Sequence, residues 1–198
     1  MYAQWYTVTP ITAAASKSTF AAATASADVA YISEEVRSSH LNTKLRPATI
    51  GVVNEEKVLT DEYGISSSQG DFFAATLRIT DNSHYITSSF NVGSLQFLAA
   101  PSALHSARGT MAGGAQVLAA QPSSDRAALV VIAAGDALLG DGVAAGRRVH
   151  LPWGNNAFDV NLLNANGETL MRRAIEWAAG AGGPGIPTDA GDDDDDDE

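Results

Sequence analysis

Apolar residues fall into short runs along most of the chain, and their spacing predicts strands more often than helices. The run ATIGVV at 48–53 is uninterrupted and bounded by Pro47 on one side and by Asn-Glu-Glu on the other, which is typical of a buried parallel strand. ADVAYIS at 27–33 and RRVHLPW at 147–153 predict two more strands of the same sheet. Turn-rich sequence separates a further set of strand-like runs, which predicts hairpins formed by residues 72–80, 94–100, 115–121 and 127–135.

Helical spacing is found in two segments. Residues 34–45 carry apolar side chains at helical intervals, and Pro47 ends the pattern. The strongest pattern lies at 167–179, where Asn166 is the predicted N-cap and Gly180 follows the last turn. Its apolar stripe predicts a helix that packs one face on the sheet, and the stripe consists of Leu170, Met171, Ala174, Ile175 and Ala178.

The order of these elements predicts an α/β fold. Strand, helix and strand come first, hairpins follow, and a strand and a helix close the pattern, so we expect a mixed sheet with a parallel core. Residues 5–11 predict an extra short strand, and 66–71 predict a loop. We expect three parts: a short N-terminal extension at 1–26, one α/β domain at 27–180, and a Gly/Pro linker with an acidic tail at 181–198.

Charge and composition exclude several classes of function. The formal net charge is −11, and the segment TDAGDDDDDDE at 188–198 holds eight carboxylates, so without them the body carries only −3. A nearly balanced body with an acidic tail predicts no nucleic-acid partner. No run approaches the ~20 apolar residues that span a bilayer, and the first residues lack a signal-peptide pattern. We expect an extracellular location if the chain was cut from a longer exported protein, and a cytoplasmic one otherwise.

Three segments together resemble the class I glutamine amidotransferase-like superfamily, and within it the ThuA-like domains of bacterial exported proteins. They are DVAYISEEVRSSHLNTKLRPATIGVVNEE, then LRITDNSHYIT, then GRRVHLPWGNNAFDVNLLNANGETLMRRAIEWAAG. The resemblance covers about residues 27–180. It implies a three-layer flavodoxin-like sandwich with a mixed, mainly parallel central sheet and a hairpin-rich edge.

The chain departs from that superfamily in two ways. Only 26 residues precede the ADVAYIS strand, where members have a strand and a helix of their own. The glutaminase members carry a nucleophilic cysteine on the turn after the second of these strands, a position that falls here at Asn54 or Glu55. Because the chain has no cysteine, glutamine hydrolysis by the family route is excluded.

Polar residues at the carboxyl ends of the predicted strands are the candidates for chemistry. His150 ends the RRVHLPW strand, roughly where the resemblance implies a catalytic histidine, and an imidazole there suits a general base. The alternative is a structural histidine that bonds a neighbouring loop. Glu55 follows ATIGVV and is either a proton carrier beside Glu56 or an acid at a helix N-terminus.

A serine would have to replace the missing cysteine as nucleophile. Ser33 ends the ADVAYIS strand and is alternatively an N-cap, and Ser66 lies in a loop that can reach the same crevice. No G-x-S-x-G elbow is present. We assign substrate contacts to a further set of residues near these strand ends, namely Glu35, Asn54, Trp153 and Asn155.

Two functions follow from these candidates. The first is a hydrolase of ester or amide bonds, not a glutaminase, that acts on a small-molecule or polymeric ester or glycan. The alternative is a non-catalytic glycan- or protein-binding domain of a larger exported protein. The histidines lack the spacing of metal ligands, so we expect no metal and no cofactor. Nothing in the sequence sets an oligomeric state.

Overall fold

Nine strands hydrogen-bond into one mixed sheet in the computed structural model, which describes residues 5–153 and 158–182. The strands are β1 (Val29–Ile32), β2 (Gly51–Asn54), β3 (Ser66–Ala74), β4 (Thr76–Ile79), β5 (Gly93–Gln96), β6 (Ser102–Met111), β7 (Ala115–Ala120), β8 (Ala127–Ile132) and β9 (Arg148–His150). The α-helices of this part of the chain are α1 (Lys17–Thr24), α2 (Ser38–Leu41) and α3 (Ala165–Ala178). Short 3-10 helices lie at Lys57–Leu59 and Val160–Leu162.

The sheet is mixed, as predicted, but mostly antiparallel. The main path runs β1-β2-β9-β8-β7-β4-β5, and β6 joins the β3 edge to β8. Only the β1–β2 and β2–β9 pairs are parallel, whereas the other six pairings are antiparallel. The prediction of a mainly parallel sheet is therefore wrong. A parallel pair needs a crossover of about a dozen residues. Four of the five connections between β3 and β8 are shorter than that, and the longer one, between Ile79 and Gly93, returns the chain antiparallel to β4.

The three strands at the parallel end of the sheet confirm the expected placement. ADVAYIS, ATIGVV and RRVHLPW supply β1, β2 and β9, which are neighbours. Helix α3 covers one face of them, with its predicted apolar stripe buried. At Gly51 the helix comes so close that an added Cβ would lie 2.1 Å from the Ala178 carbonyl oxygen. The N-cap is Asn164, not Asn166, because its side chain accepts the N–H groups of Asn166 and Gly167.

The other face of the parallel end is covered by irregular chain rather than by a long helix. The predicted helix over 34–45 is wrong, since only α2 forms there and Asn42 leaves it with a φ of 49°. The segment is rich in Ser, Asn and Thr, which compete with the helix for backbone hydrogen bonds. Arg148 holds the chain before β2 in place, because its guanidinium donates to the carbonyl oxygens of Arg46 and Ala48 at 3.0 and 2.8 Å.

The longest antiparallel strand pair, β3 with β6, lies where the sequence predicted a loop and a turn. Residues 66–71 form most of β3, and much of the turn-rich HSARGTMAGG stretch lies in β6, which pairs antiparallel with β3. β3 is polar because it is an edge strand and much of its surface faces solvent. The strand predicted at 5–11 is wrong, since no strand forms over those residues. Among the described helices, none has the length and apolar character to cross a bilayer.

Candidate functional site

The carboxyl ends of β1, β2 and β9 lie side by side at one end of the parallel strands, an end of the sheet that we call the carboxyl edge. Most of the predicted site residues lie there. In register, Ile32 pairs with Asn54, and Asn54 pairs with His150. Glu55 follows β2 directly, and its N–H donates to the Ile32 carbonyl at 3.0 Å. The prediction that these strand ends converge is therefore confirmed.

His150 is sealed inside this edge. Its side chain is 0% exposed, and neither Nδ1 nor Nε2 has a hydrogen-bond partner within residues 5–153 and 158–182. Burial holds the pKa of His150 well below its ordinary value, and the neighbouring His105 lowers it further. The imidazole is therefore neutral at physiological pH, but no hydroxyl of the described residues forms a hydrogen bond with it from which it could take a proton.

His105 is a second buried histidine, on β6, that the sequence analysis did not select. Its ring meets the His150 ring edge-on, with 4.8 Å between centroids. Nε2 lies 2.9 Å from the Glu55 carbonyl oxygen, so we assign the ring proton to Nε2. Burial lowers the pKa of His105 to about 3. No local signal marks this residue, because the contact depends on β6, which the sequence did not predict.

Glu55 and Asn54 have separate local roles. Asn54 fixes the turn after β2, since its side chain donates to the Glu56 carbonyl at 2.9 Å and accepts the Glu56 N–H at 3.2 Å. The Tyr31 hydroxyl on β1 donates to the Glu55 carboxylate. Tyr31 pairs with Val53 in register, whereas His150 pairs with Asn54, so Tyr31 and His150 leave the sheet on opposite faces. The hydrogen bond from Tyr31 to the Glu55 carboxylate therefore comes from the face of the sheet opposite to the one that carries the His150 side chain.

Three more glutamates crowd the same edge, namely Glu34, Glu35 and Glu56. Burial raises the pKa of Glu34 to about 7, and the charges of Glu35 and Glu56 raise it as well. One Glu34 oxygen, Oε2, is buried without a hydrogen-bond partner. Burial also raises the pKa of Glu56, although the Val58 N–H donates to its carboxylate at 2.8 Å. The available signal was a pair of adjacent glutamates after each of two predicted strands.

The two candidate serines lie apart from His150. Ser33 is exposed, and its Oγ accepts the Glu35 N–H at 3.4 Å, so it does not cap α2, whose N-cap is Arg37. Ser66 is fully buried and donates to the Ser68 carbonyl at 2.8 Å. It lies five positions along β3 from the Asp71–His105 pair, which is roughly 15 Å of strand. Within the described chain, no hydrogen bond joins either serine to His150.

The remaining predicted contacts are divided between core and edge. Trp153 is 1% exposed and stacks between Phe97 and Phe158, at 5.7 and 6.3 Å between ring centroids. Its ring is part of the core and offers no open face to a ligand. Glu35 is exposed beside Glu34, and Asn155 lies outside the described residues.

No group of three or more His, Asp or Glu side chains in the described ranges is placed to hold a metal ion. Comparisons of the chain with protein-family models, with curated proteins and with solved structures gave no match. The resemblance to the amidotransferase-like superfamily therefore stays a prediction, and the function has to be argued from the geometry of this edge.

Proposed function

We propose that this chain is a non-catalytic protein-binding domain on a variant of the class I glutamine amidotransferase-like sandwich. Its binding surface is the glutamate edge, which we define as Glu34, Glu35 and Glu56. The partner supplies a cationic segment, with lysine or arginine side chains that reach these carboxylates. The observation that carries the proposal is the crowding of three carboxyl groups at this edge, where Glu34 Oε2 is buried and has no hydrogen-bond partner among the described residues. Burial and the two neighbouring carboxylates raise the pKa of Glu34 accordingly.

A carboxyl group with so high a pKa lacks a compensating cation. In the part of the chain that the structure describes, no salt bridge joins the glutamate edge to a lysine or arginine. Lys57 is the next residue after Glu56, but its ammonium lies 2.7 Å from Asp71 instead. A cation from a partner would stabilise the ionised glutamates and lower their pKa, which is a favourable contribution to binding.

The surroundings of His150 favour binding over hydrolysis. A hydrolytic serine needs a base within hydrogen-bond reach, and in the described part of the chain both nitrogens of the enclosed His150 lack a partner. Of the serines proposed as nucleophile, Ser33 caps its own turn and Ser66 bonds within β3. What the glutamate edge presents to a partner is a cluster of carboxylates, which attract cationic side chains.

Proton release on binding tests the proposal. At pH 7 Glu34 is about half protonated, so a cation that lowers its pKa releases up to about half a proton per complex. The measurement is calorimetric titration of the protein with a penta-lysine peptide at low salt, in two buffers that differ in ionisation enthalpy. Glu34→Gln should bind more weakly and abolish the release, because the amide does not titrate.

A charge-matched control separates the glutamate edge from general acidity. The triple variant E34Q/E35Q/E56Q and the triple variant D28N/D136N/E168Q remove the same number of carboxylates, and the acidic tail is identical in both. We expect the first to weaken peptide binding by about tenfold or more and the second to change it little. Equal weakening by both variants would contradict the proposal.

Hydrolysis remains a second candidate because of one observation. A carboxyl group with a pKa of about 7 can exchange protons at neutral pH, as a general acid or base must. The check is turnover of p-nitrophenyl acetate above the buffer rate. Turnover that is lost in Glu34→Gln and in Ser33→Ala would favour the hydrolase and count against a purely binding domain.

A further inference from the structure

A second candidate site lies at the opposite edge of the sheet, near the amino ends of β2 and β9. It is a cavity of about 690 Å³, which we call the basic pocket. Its walls come from α1, from residues 43–49 before β2, and from residues 138–145 before β9. The volume lies within the range of small-molecule pockets, about 300 to 1,000 Å³.

The pocket has an apolar floor and firmly held walls. Leu45, Ala48 and Leu138 are buried at the floor. The wall at 138–145 belongs to a tight hairpin, in which the Ala144 N–H donates to the Asp136 carbonyl at 2.9 Å. The Arg148 guanidinium fixes the facing wall through the Ala48 carbonyl. A ligand would therefore meet a shape that is already formed, which lowers the entropic cost of binding.

The pocket is positively charged, although the whole chain is acidic. Lys17, Lys44 and Arg46 line it, and Asp141 is the acidic residue among its lining residues. The Lys44 ammonium donates to the Ala13 and Ala15 carbonyls at 2.8 Å, which holds its charge in place. The ammonium also lies 5.7 Å from the centroid of the Phe20 ring. Neither the carbonyls nor the ring carries a formal negative charge, so the field inside the pocket favours an anion.

We infer that the basic pocket binds a small organic anion, a carboxylate or phosphate carried on a short apolar body. The anionic group meets the cationic rim, and the apolar body covers the floor. This inference does not rest on the protein-binding proposal, because the two sites share no residue and attract opposite charges.

Titration of the full-length protein with hexyl phosphate tests the inference. We expect saturable binding with a millimolar or tighter Kd, and weaker binding of inorganic phosphate, which lacks the apolar body. Lys17→Glu should weaken binding by about tenfold, because Lys17 is exposed on the rim and its reversal replaces attraction by repulsion. Arg126→Glu is the matched control, since it makes the same charge change at an exposed position just before β8, away from the pocket.

A second variant tests the volume rather than the charge. Ala21 is an exposed α1 residue that lines the pocket, so Ala21→Trp should fill it and abolish binding with α1 intact. Three results would overturn the inference: no saturable binding up to about 10 mM, equal loss in the Lys17 and Arg126 variants, or equal affinity for inorganic and hexyl phosphate.

Discussion

At the scale of single residues, the feature that the sequence could least predict is the state of His150. The sequence placed it correctly at a strand end, and an ordinary imidazole there suits proton transfer. The structure adds His105 from β6 and encloses both rings, and three of their four nitrogens have no hydrogen-bond partner among the described residues. Burial reverses the expectation. A histidine that stays neutral in the core, with no hydroxyl of the described residues to deprotonate, does not act as a base at neutral pH. Its protonation at acid pH instead destabilises the folded state.

This enclosure predicts acid sensitivity. In the unfolded chain a histidine titrates near pH 6.5, whereas the folded chain lowers the pKa of His105 to about 3 and that of His150 well below 6.5. Below pH 6.5 the unfolded state therefore binds protons that the folded state does not, so stability falls as the pH falls. The pKa values of Glu34 and Glu62, raised to about 7, act in the opposite direction over pH 4.5 to 7.

The variant His150→Leu isolates this contribution. Urea unfolding at several pH values between 4 and 6.5 should show a shallower pH dependence than the wild type, by up to about 1.4 kcal/mol per pH unit, the value for one proton. At pH 7.5 the variant should be about as stable as the wild type, because leucine removes two unsatisfied nitrogens. The exposed His40 supplies the control His40→Gln. An unchanged pH dependence in His150→Leu would contradict the account of a buried neutral ring.

At the scale of elements, the continuous apolar strands and the amphipathic helix could be predicted from the sequence, whereas the antiparallel pair of β3 and β6 could not. β2 and β8 are buried along their whole length, and α3 has a buried stripe with a clear helical period. β3 and β6 contain Ser, Gly, Arg and Gln, which give no clear strand pattern. Their pairing depends on the tertiary context rather than on the local sequence. Because β6 was not predicted, His105 was missed, and the environment of His150 was missed with it.

The contact between α3 and β2 gives a sharp test of packing between elements. Gly51→Ala would place a Cβ 2.1 Å from the Ala178 carbonyl oxygen, so the helix must move. We expect a loss of roughly 1–3 kcal/mol in the free energy of unfolding, the usual cost of overpacking a core. Gly113→Ala is the control, because the nearest atom to its added Cβ is 3.7 Å away. Equal stability of the two variants would show that α3 does not pack closely against Gly51.

At the scale of the whole molecule, charge is arranged in three places with different expected roles. The glutamate edge and the basic pocket lie at opposite ends of the parallel strands, and the acidic tail at 188–198 lies outside the described residues. The net charge of −11 is mostly due to the tail, so the sign of the total says little about either edge. A charge total read from the sequence therefore could not predict the local positive pocket.

Deletion of residues 184–198 tests whether the tail is independent of the domain. A run of like charges repels itself and buries no apolar surface, so we expect the Tm to change by less than about 1 °C. Binding of penta-lysine should weaken at low salt, because eight carboxylates are removed. The proton released on binding should persist, because it comes from Glu34 and not from the tail. A Tm loss of several degrees would show that the tail docks on the domain, and a lost proton signal would show that the tail, not the glutamate edge, receives the cation.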